Sequence, residues 1–227
     1  YIRCNNISTI NTLAPLLYDR TSSTQGKIIT TSSTNVDTTT LSSLNWSVDT
    51  SSGTKIAEYV YDKSICNYLV PEFNEGYSGY FVNDVIEDEV NSPNIVTREL
   101  VGYGGLPTLM RFGQVYVEGE IVSNASLSLL EVYQADISNI TDAHSMFRNC
   151  RNMISVGELD TSNVTNMYNM FSECHNLTSL NVSNWNTSKV TDTTDMFINT
   201  SSLQYIRCNN TSTINTLAPL LYNRTSS

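Results

Sequence analysis

Residues 160–185 read DTSNVTNMYNMFSECHNLTSLNVSNW, and two related stretches flank them. Residues 136–159 read DISNITDAHSMFRNCRNMISVGEL, and residues 186–210 read NTSKVTDTTDMFINTSSLQYIRCNN. Each stretch contains one Met-Phe pair, preceded by a Ser-Asn-x-Thr phrase or a close variant of it. The three stretches are therefore variants of one sequence repeat, which we call the Met-Phe repeat.

The Met-Phe pairs set the period of this array. They begin at Met146, Met170 and Met196, so successive pairs are 24 and 26 residues apart. This period lies in the range of leucine-rich solenoids, in which each turn buries little alone and depends on its neighbours. We therefore predict a solenoid, and an array of this kind favours a structural or interaction surface over a catalytic pocket.

Each repeat is predicted to contain a short helix followed by a strand. In the middle repeat Met167, Met170 and Phe171 fall at i, i+3 and i+4, which is one face of a helix, and Cys174 continues that face. The Ser-Asn-x-Thr phrases favour a turn and helix N-cap, where side-chain oxygens accept from free backbone N–H groups. The predicted core residues are Met146, Phe147, Cys150, Met170, Phe171, Cys174, Leu177, Leu180, Met196, Phe197 and Leu203.

The two ends of the chain carry nearly the same segment. Residues 1–23 return at 205–227 with two differences, an offset of 204 residues, which indicates a long unit repeated in tandem. In 205–227 the sequence YIRC directly follows the third repeat, so we predict a strand there and a helix over TINTLAPLL. The predicted junction residues between units are Tyr1, Ile2, Cys4, Tyr205, Ile206 and Cys208.

These patterns divide the chain into three regions, and the predicted fold is mainly β with short helices. Residues 1–53 are predicted to be the last turns and cap of the preceding unit's solenoid, with a strand at 27–31; a Ser/Thr-rich linker is the alternative for 21–54. Residues 54–133 are predicted to form a small β-sandwich-like module or curled sheet. Residues 134–227 are the solenoid that continues into the next unit.

The β module holds most of the negative charge and of the tyrosines. It contains 8 of the 13 tyrosines and 12 acidic against 4 basic residues, in a chain of net charge −10. Tyrosines often supply rigid, amphipathic contacts at interfaces. Tyr77, Tyr80 and Tyr103 are therefore candidate contacts to a host-cell receptor or glycan, with packing inside the module as the alternative.

The acidic composition argues against two kinds of partner. A pI of about 4.5 leaves no basic stripe to neutralise nucleic-acid phosphates and no attraction to anionic membranes. We find no run of about 18 apolar residues, so we predict no membrane insertion. The sequence starts at Tyr1 without Met, and we interpret it as a piece or processed product whose targeting sequence could lie elsewhere.

The sequence offers weak candidates for metal or disulfide chemistry, and we predict no cofactor. Glu87, Asp88 and Glu89 form an acidic cluster that could bind Ca²⁺, but they match no EF-hand spacing and are typical of a solvated face. None of the five cysteines forms a Cys-x-x-Cys pair. Cys150 and Cys174 occupy the same position in adjacent repeats, as stacked buried thiols or as a disulfide between turns.

Catalysis has little support in the sequence, and we predict that the protein is not an enzyme. His144 occupies a variable helix position that we predict to face solvent. His175 follows Cys174, but adjacent residues on a helix do not face each other, which argues against a thiolate–imidazole pair. A glycan-degrading enzyme would need two carboxylates across a groove, and the sequence offers only Glu118 and Glu120 on one strand face.

The sequence LDTSNVTNMYNMFSECHNLTSLNVSNWNTSKVTD, residues 159–192, closely resembles the BspA-like leucine-rich repeat. This repeat occurs in bacterial surface proteins and in tail or appendage proteins of phages that infect Gram-positive bacteria. The resemblance covers residues 136–210. It implies a right-handed leucine-rich-type solenoid, an extracellular or virion-surface location, and binding or scaffolding rather than catalysis. Residues 9–46, which contain TINTLAPLL, RTSS, KIITT and LSSLNW, and residues 77–112 resemble, more loosely, the flanking pieces of such repeats in phage and prophage structural proteins.

Two functions follow as expectations. The first is a structural unit of an extracellular fibre or phage appendage, whose 204-residue units join end to end by stacking of their solenoids, so that the partner is another unit. The second is a surface adhesin that presents the Tyr-rich β module to a host receptor or glycan. An exposed aromatic patch would favour adhesion, and tyrosines buried between units would favour a fibre.

Overall fold

The computed structural model describes residues 2–3, 26–29, 46–49, 54–66, 69–77, 80–86, 88–102, 105–113, 116–117, 120–121 and 125–223. The chain divides into two compact units, Tyr1–Thr54 and Lys55–Ser227.

The first unit contains a parallel three-stranded sheet. Its strands, in spatial order, are β1 (Ile2–Arg3), β2 (Gly26–Ile29) and β3 (Trp46–Asp49). In the register of this sheet Ile2 lies opposite Ile28, which in turn lies opposite Val48. β2 begins one residue before the strand predicted at 27–31, where consecutive isoleucines and threonines favour extended backbone.

The second unit contains a set of strands and the first described helix, which are β4 (Thr54–Asp62), β5 (Glu72–Phe73), β6 (Tyr80–Val85), β7 (Ile95–Gly102), β8 (Met110–Arg111), β9 (Tyr116–Val117), β10 (Glu120–Ile121), α1 (Ala125–Ser128), β11 (Leu129–Ala135), β12 (Ser155–Val156), β13 (Ser179–Asn181) and β14 (Tyr205–Arg207). Five of these strands form one sheet in the order β12-β11-β4-β7-β6, and the described residues also form three two-stranded pairs, β5-β8, β9-β10 and β13-β14. The prediction of a mainly β fold with short helices is confirmed.

Alternation along β7 shows why this sheet forms. Val96, Arg98 and Leu100 are buried while the residues between them are half-buried, as expected when successive side chains point to opposite faces. β4, β6 and β7 all belong to the one main sheet. Among the described residues the predicted β module is therefore a sheet accompanied by short strand pairs, and the sandwich-like form of the prediction is not found there.

β11 connects this sheet to the Met-Phe repeats. Val132 of β11 lies opposite Tyr59 of antiparallel β4 on one side and opposite Val156 of parallel β12 on the other. β12 belongs to the first repeat. The chain then passes so close to β11 that a Cβ on Gly157 would lie 2.1 Å from the Tyr133 carbonyl oxygen, so only glycine fits.

The middle of each repeat forms consecutive β-turns, and the helix predicted there is wrong. Asn169 and Glu173 both have left-handed backbone, with φ of 55° and 64°, which an α-helix does not contain. Alternate backbone N–H groups donate hydrogen bonds to the next repeat instead of to their own. Asn169 N donates to Thr194 O (3.0 Å) and Phe171 N donates to Met196 O (2.9 Å). The helical spacing of apolar residues arises because successive turns also return side chains to one side.

The C-terminal end contains a strand within the YIRC segment and helical turns over the TINTLAPLL segment, as the sequence predicts. β14 pairs in parallel with β13, with Ile206 opposite Leu180. The helix α2 (Thr211–Leu217) follows, and a 3-10 helix (Ala218–Asn223) continues it. The Asn210 side chain caps α2 by accepting from the backbone N–H of Ser212 and Thr213.

One hydrophobic core extends from β4 through the repeats to α2. The side chains predicted for it are all at most 2% exposed: Met146, Phe147, Cys150, Met170, Phe171, Cys174, Leu177, Leu180, Met196, Phe197 and Leu203.

Candidate functional site

A column of stacked aromatic rings passes through the three repeats. The ring of Phe171 lies 5.2 Å from that of Phe147 and 5.8 Å from that of Phe197, at interplanar angles of 22° and 17°. Trp185 also stacks on Phe171, and their ring centroids are 6.2 Å apart. Offset stacking adds about 0.5–1.5 kcal/mol per pair to the burial of the rings. The column therefore binds each repeat to the next one.

The β module supplies the first member of this column. The Phe112 ring lies 5.5 Å from Phe147, and Phe112 N donates to Met146 O over 2.7 Å, as the Met-Phe phenylalanines do to the following repeat. Gly113 permits this approach, because a Cβ there would lie 2.3 Å from the Arg148 carbonyl oxygen. Sequence reasoning missed Phe112; its signal was the Met-Arg-Phe sequence that ends there.

Asp and Asn side chains fix the turn that begins each repeat. Equivalent bonds run from Ser138 N to Asp136 Oδ1 (3.1 Å), from Ser162 N to Asp160 Oδ1 (2.9 Å) and from Ser188 N to Asn186 Oδ1 (3.0 Å). The predicted turn is present, but the capping oxygen comes from the residue two positions before the serine of the Ser-Asn-x-Thr phrase. This is the local Asx-turn geometry that Asp and Asn favour.

Glu173 connects three repeats through its carboxylate. It accepts from Asn199 Nδ2 (2.5 Å) in the next repeat, from His175 Nε2 (3.0 Å) in its own, and lies 3.5 Å from Arg151 Nη2 in the preceding one. The Asn199 hydrogen bond, opposed by burial and aided by His175, holds the pKa of Glu173 below its usual value.

Glu173 should make stability depend on pH. Because its folded pKa is depressed, the contribution is present above the ordinary value of 4.5 and is lost as the pH falls through the folded pKa. We expect Glu173→Gln to lose less stability than the wild type between pH 7 and pH 3, measured by urea unfolding. The exposed Glu75→Gln is the matched control, and equal losses in all three proteins would contradict this role.

Cys150 and Cys174 are free thiols, both fully buried. The Cys174 thiol donates to the Phe147 carbonyl oxygen at 3.0 Å. Burial raises the pKa of both thiols, so neither is poised as a thiolate. His175 bonds to Glu173 instead of Cys174. The stacked-thiol reading matches the structure, and the disulfide alternative does not.

We expect thiol reagents to react at different rates with Cys208 and with Cys150 and Cys174 in the native chain. Cys208 is half-buried whereas Cys150 and Cys174 have no exposed surface, so pulsed alkylation with peptide mass mapping should label Cys208 first. Cys150 and Cys174 should react only after unfolding. Rapid native labelling of Cys174, or its recovery in a disulfide, would contradict this assignment.

His144, which the sequence predicts to face solvent, is partly exposed and lies at the contact between the β module and the first repeat. Its side chain is 34% exposed and its Nδ1 lies 2.9 Å from Asp142 Oδ2. Arg111 of β8 reaches the same residue, 2.9 Å from Nδ1 and 3.1 Å from the His144 carbonyl oxygen. Tertiary contact with the β module therefore orders this side chain.

Arg98 forms the main polar cluster of the β module. It is 1% exposed and donates to both carboxylate oxygens of Asp84 (2.5 and 2.6 Å), to Leu69 O (2.7 Å) and to the Tyr61 hydroxyl (2.9 Å). Burial opposes its charge, but Asp84 outweighs this and raises the pKa of Arg98. A fully partnered buried charge of this kind is structural.

The candidate receptor tyrosines pack largely against one another. Tyr77 and Tyr80 stack at 6.1 Å with an interplanar angle of 9°, and each contacts Phe73 at about 5 Å. Both are half-buried against the core. Tyr77 also donates to the Gly105 carbonyl oxygen (3.1 Å). Tyr103 lies outside the described residues.

Of the remaining acidic candidates, Asp88 and Glu89 lie in the described part of the chain. No group of three or more metal-ligating side chains occurs in those ranges. Asp88 instead caps a turn, accepting from the backbone N–H of Asn91 and Val90, which lowers its pKa. Glu87, Glu118 and the side chain of Glu120 fall outside the description.

An open groove that sequence reasoning did not anticipate follows the ends of β11 and β12. Its volume is about 900 Å³, and its walls include Tyr133, Asp136, Glu158, Asp160 and Asn184. Tyr133 is 49% exposed there. The Asn184 amide donates to Glu158 Oε2 at 2.6 Å. Acidic and amide groups beside an exposed aromatic ring suit a polar ligand such as a sugar or a basic peptide.

The predicted junction residues lie on β1, on β14 and beside them. Ile2 belongs to β1 and Ile206 to β14, where Ile206 is half-buried and Tyr205 is 70% exposed. Cys208 follows β14 and its thiol donates to the Asn210 carbonyl oxygen at 3.3 Å. Tyr1 and Cys4 lie outside the described residues.

Residues 119–226 match a family described as "Mycoplasma protein of unknown function, DUF285". The matched range contains all three Met-Phe repeats and α2, and this match is compatible with the resemblance to BspA-like surface repeat proteins. No curated protein and no solved structure shows significant similarity to the chain. In the described ranges, no helix has the length and apolar character needed to cross a membrane.

Proposed function

We propose that this chain is a non-enzymatic structural unit of an extracellular fibre or phage tail appendage, in which units join end to end by stacking of right-handed leucine-rich-type solenoids. One observation carries this proposal. The sequence Ile-Arg occurs at both ends of the 204-residue offset and is a parallel strand at each: Ile206 pairs with the strand before it, and Ile2 with the strand after it.

Equivalence of the two ends would place β13, β14 and the counterparts of β2 and β3 in one continuous parallel sheet across the junction between units. Leu180 would be followed by Ile206, then by the counterparts of Ile28 and Val48. The backbone hydrogen bonds between the turns of successive repeats and the aromatic column support the same interpretation. Both connect a repeat to its immediate neighbours, as in a solenoid.

Imaging of the native assembly tests this function. We expect a filament with an axial or helical repeat that corresponds to one 204-residue unit. Particles without such a periodicity would contradict the proposal.

A surface adhesin is the second candidate, and the groove beside Tyr133 favours it. Tyr133 belongs to the Tyr-rich module and is an exposed residue, at 49%. Tyr77 and Tyr80 are instead partly buried and pack against the core. Cell and glycan binding by the intact chain should fall after Tyr133→Ala. It should persist in the control Tyr168→Ala, which removes a 38% exposed ring from a repeat. Absence of binding by the wild type would remove this candidate.

A further inference from the structure

The two extra residues of the second repeat form a turn at the end of β13. Successive Met-Phe pairs are 24 and then 26 residues apart, and the added length lies between β13 and the Asx-turn at Asn186. Ser183 N donates to Asn181 Oδ1 (3.1 Å) and Trp185 N donates to Val182 O (3.1 Å), which closes this turn. In the shorter first repeat, fewer residues connect β12 to the equivalent Asx-turn. The two repeats therefore differ in outline on this side of the array.

This turn and the two preceding strand ends shape the groove of about 900 Å³. Tyr133 comes from β11, Glu158 from the segment after β12 and Asn184 from the turn after β13, so the groove extends over three successive levels of the array. The Asn184 amide donates to Glu158 Oε2 at 2.6 Å. Ala135 and Leu159, at 4% and 1% exposure, form apolar parts of the lining. All of the described lining belongs to a single unit.

Tyr133 presents an aromatic side chain at this groove. The residue is 49% exposed, and the neighbouring position on the next strand is Gly157, which adds no side chain beside it. A tyrosine combines an apolar ring face with a polar hydroxyl at one end. These two features match a pyranose ring, which has an apolar face of C–H groups and hydroxyl groups around its edge. Tyr133 is therefore suited to stack on a sugar ring.

The carboxylates of the groove are each held by the chain through one oxygen. Asp136 Oδ1 accepts from Ser138 N (3.1 Å), and Asp160 Oδ1 accepts from Ser162 N (2.9 Å). Glu158 accepts through its Oε2 atom. An ionised carboxylate can accept further hydrogen bonds at its second oxygen. The groove therefore offers fixed acceptors for the hydroxyl groups of a ligand.

The charge of the lining selects the class of ligand. Among the described lining residues three are acidic and none is basic, so an anionic sugar or a phosphate would meet only like charge. A basic peptide is a poorer match, because each carboxylate already has a donor from the chain. β11 is also paired on both edges, by β4 and β12, so an extended peptide cannot add to it as a strand. These features favour an uncharged ligand that is rich in hydroxyl groups.

We propose that this groove binds an uncharged linear oligosaccharide, with one pyranose ring stacked on Tyr133 and with hydroxyl groups of the following rings bonded to Glu158 and Asp160. Neighbouring strands lie about 4.8 Å apart, which is close to the length of one pyranose ring. A sugar chain that crosses the three levels can therefore place successive rings beside successive repeats. This inference rests on the adhesin candidate, since it names the site and the ligand class of that function. Units joined in tandem would repeat the site, and such multivalency would strengthen binding.

Binding of the full chain to an array of immobilised oligosaccharides tests the proposal. We expect binding to uncharged linear oligosaccharides and none to sialylated, sulfated or uronic acid oligosaccharides. For the uncharged oligosaccharide that binds best, calorimetry should show an affinity at least about tenfold lower in Tyr133→Ala. Tyr133→Phe keeps the ring, and its affinity should stay within about threefold of the wild type. Tyr168→Ala is the matched control, because it removes an exposed ring that does not line the groove, and it should bind as the wild type does.

Glu158→Gln distinguishes a sugar from a basic peptide. The substitution removes one negative charge and keeps a carbonyl acceptor, so oligosaccharide affinity should fall less than in Tyr133→Ala. Binding of a lysine-rich peptide would instead weaken with the lost charge. A wild type that binds such a peptide and no uncharged oligosaccharide would overturn the proposal.

The proposal is also overturned by a wild type that binds only anionic oligosaccharides, or by oligosaccharide binding that Tyr133→Ala leaves unchanged. Thermal unfolding checks that each variant is folded. NMR contacts between the Tyr133 ring and the sugar in the wild type test the stacking even where Tyr133→Ala fails to fold, and their absence counts against it. Cell binding by the wild type without oligosaccharide binding would keep the adhesin candidate and reject this ligand. Filaments of the one-unit period are expected from the wild type and from Tyr133→Ala alike, so the fibre is judged separately.

Discussion

Phe171→Ala is expected to lower the free energy of unfolding by about 3–5 kcal/mol. Phe171 is fully buried and is the one ring of the column that stacks on three others, namely Phe147, Phe197 and Trp185. Its removal leaves a cavity between repeats and ends the stacking on both sides. Because Phe171 contacts a ring of the repeat before it and a ring of the repeat after it, the loss should reach all three repeats.

Urea unfolding of the full chain measures this effect. Tyr168→Ala is the matched control, since it removes an aromatic ring from the same repeat but at a position that is 38% exposed. Surface changes usually stay within about 0.5 kcal/mol. A Phe171→Ala loss no larger than that of the control would mean that the column does not hold the repeats together.

Asp84→Ala is expected to cost about 3 kcal/mol, the lower end of the range for breaking a buried ion pair. The substitution leaves the Arg98 guanidinium charged at 1% exposure, while its hydrogen bonds to Leu69 O and to the Tyr61 hydroxyl remain. Asp84 itself is 38% exposed, so water can partly replace it, which keeps the loss from being larger.

The ion pair between Lys55 and Glu99 provides the control for Asp84. The two groups are 3.2 Å apart at 35% and 27% exposure, and Lys55→Ala should cost less than about 1 kcal/mol. Equilibrium unfolding of both variants compares them directly. Equal losses would show that the Arg98 cluster behaves as a surface pair and does not anchor the β module.

The repeat period and its apolar positions could be predicted from the sequence because each Met-Phe pair recurs in a fixed local context. The conformation between those positions could not. Asn169 and Glu173 adopt left-handed backbone, and their own N–H groups bond to the next repeat. No local signal separates this conformation from a helix with the same apolar spacing.

The contacts between the β module and the repeats were also beyond the sequence. Phe112 enters the aromatic column and Arg111 orders His144, although more than 30 residues separate the partners in each pair. The groove at Tyr133 likewise combines residues from three successive stretches of chain. Such pairings depend on how β11 joins the main sheet to the first repeat, which no motif encodes.

The sequence alone determined that three repeats bury equivalent Met and Phe side chains and that both ends of the chain carry nearly the same segment. Both can be predicted because apolar residue types indicate burial and their regular spacing indicates repetition. The tertiary structure decided that turns replace the helices and that Phe112 extends the aromatic column. These features follow from backbone hydrogen bonds and ring contacts between distant residues, whose pairing exists only once the chain has folded.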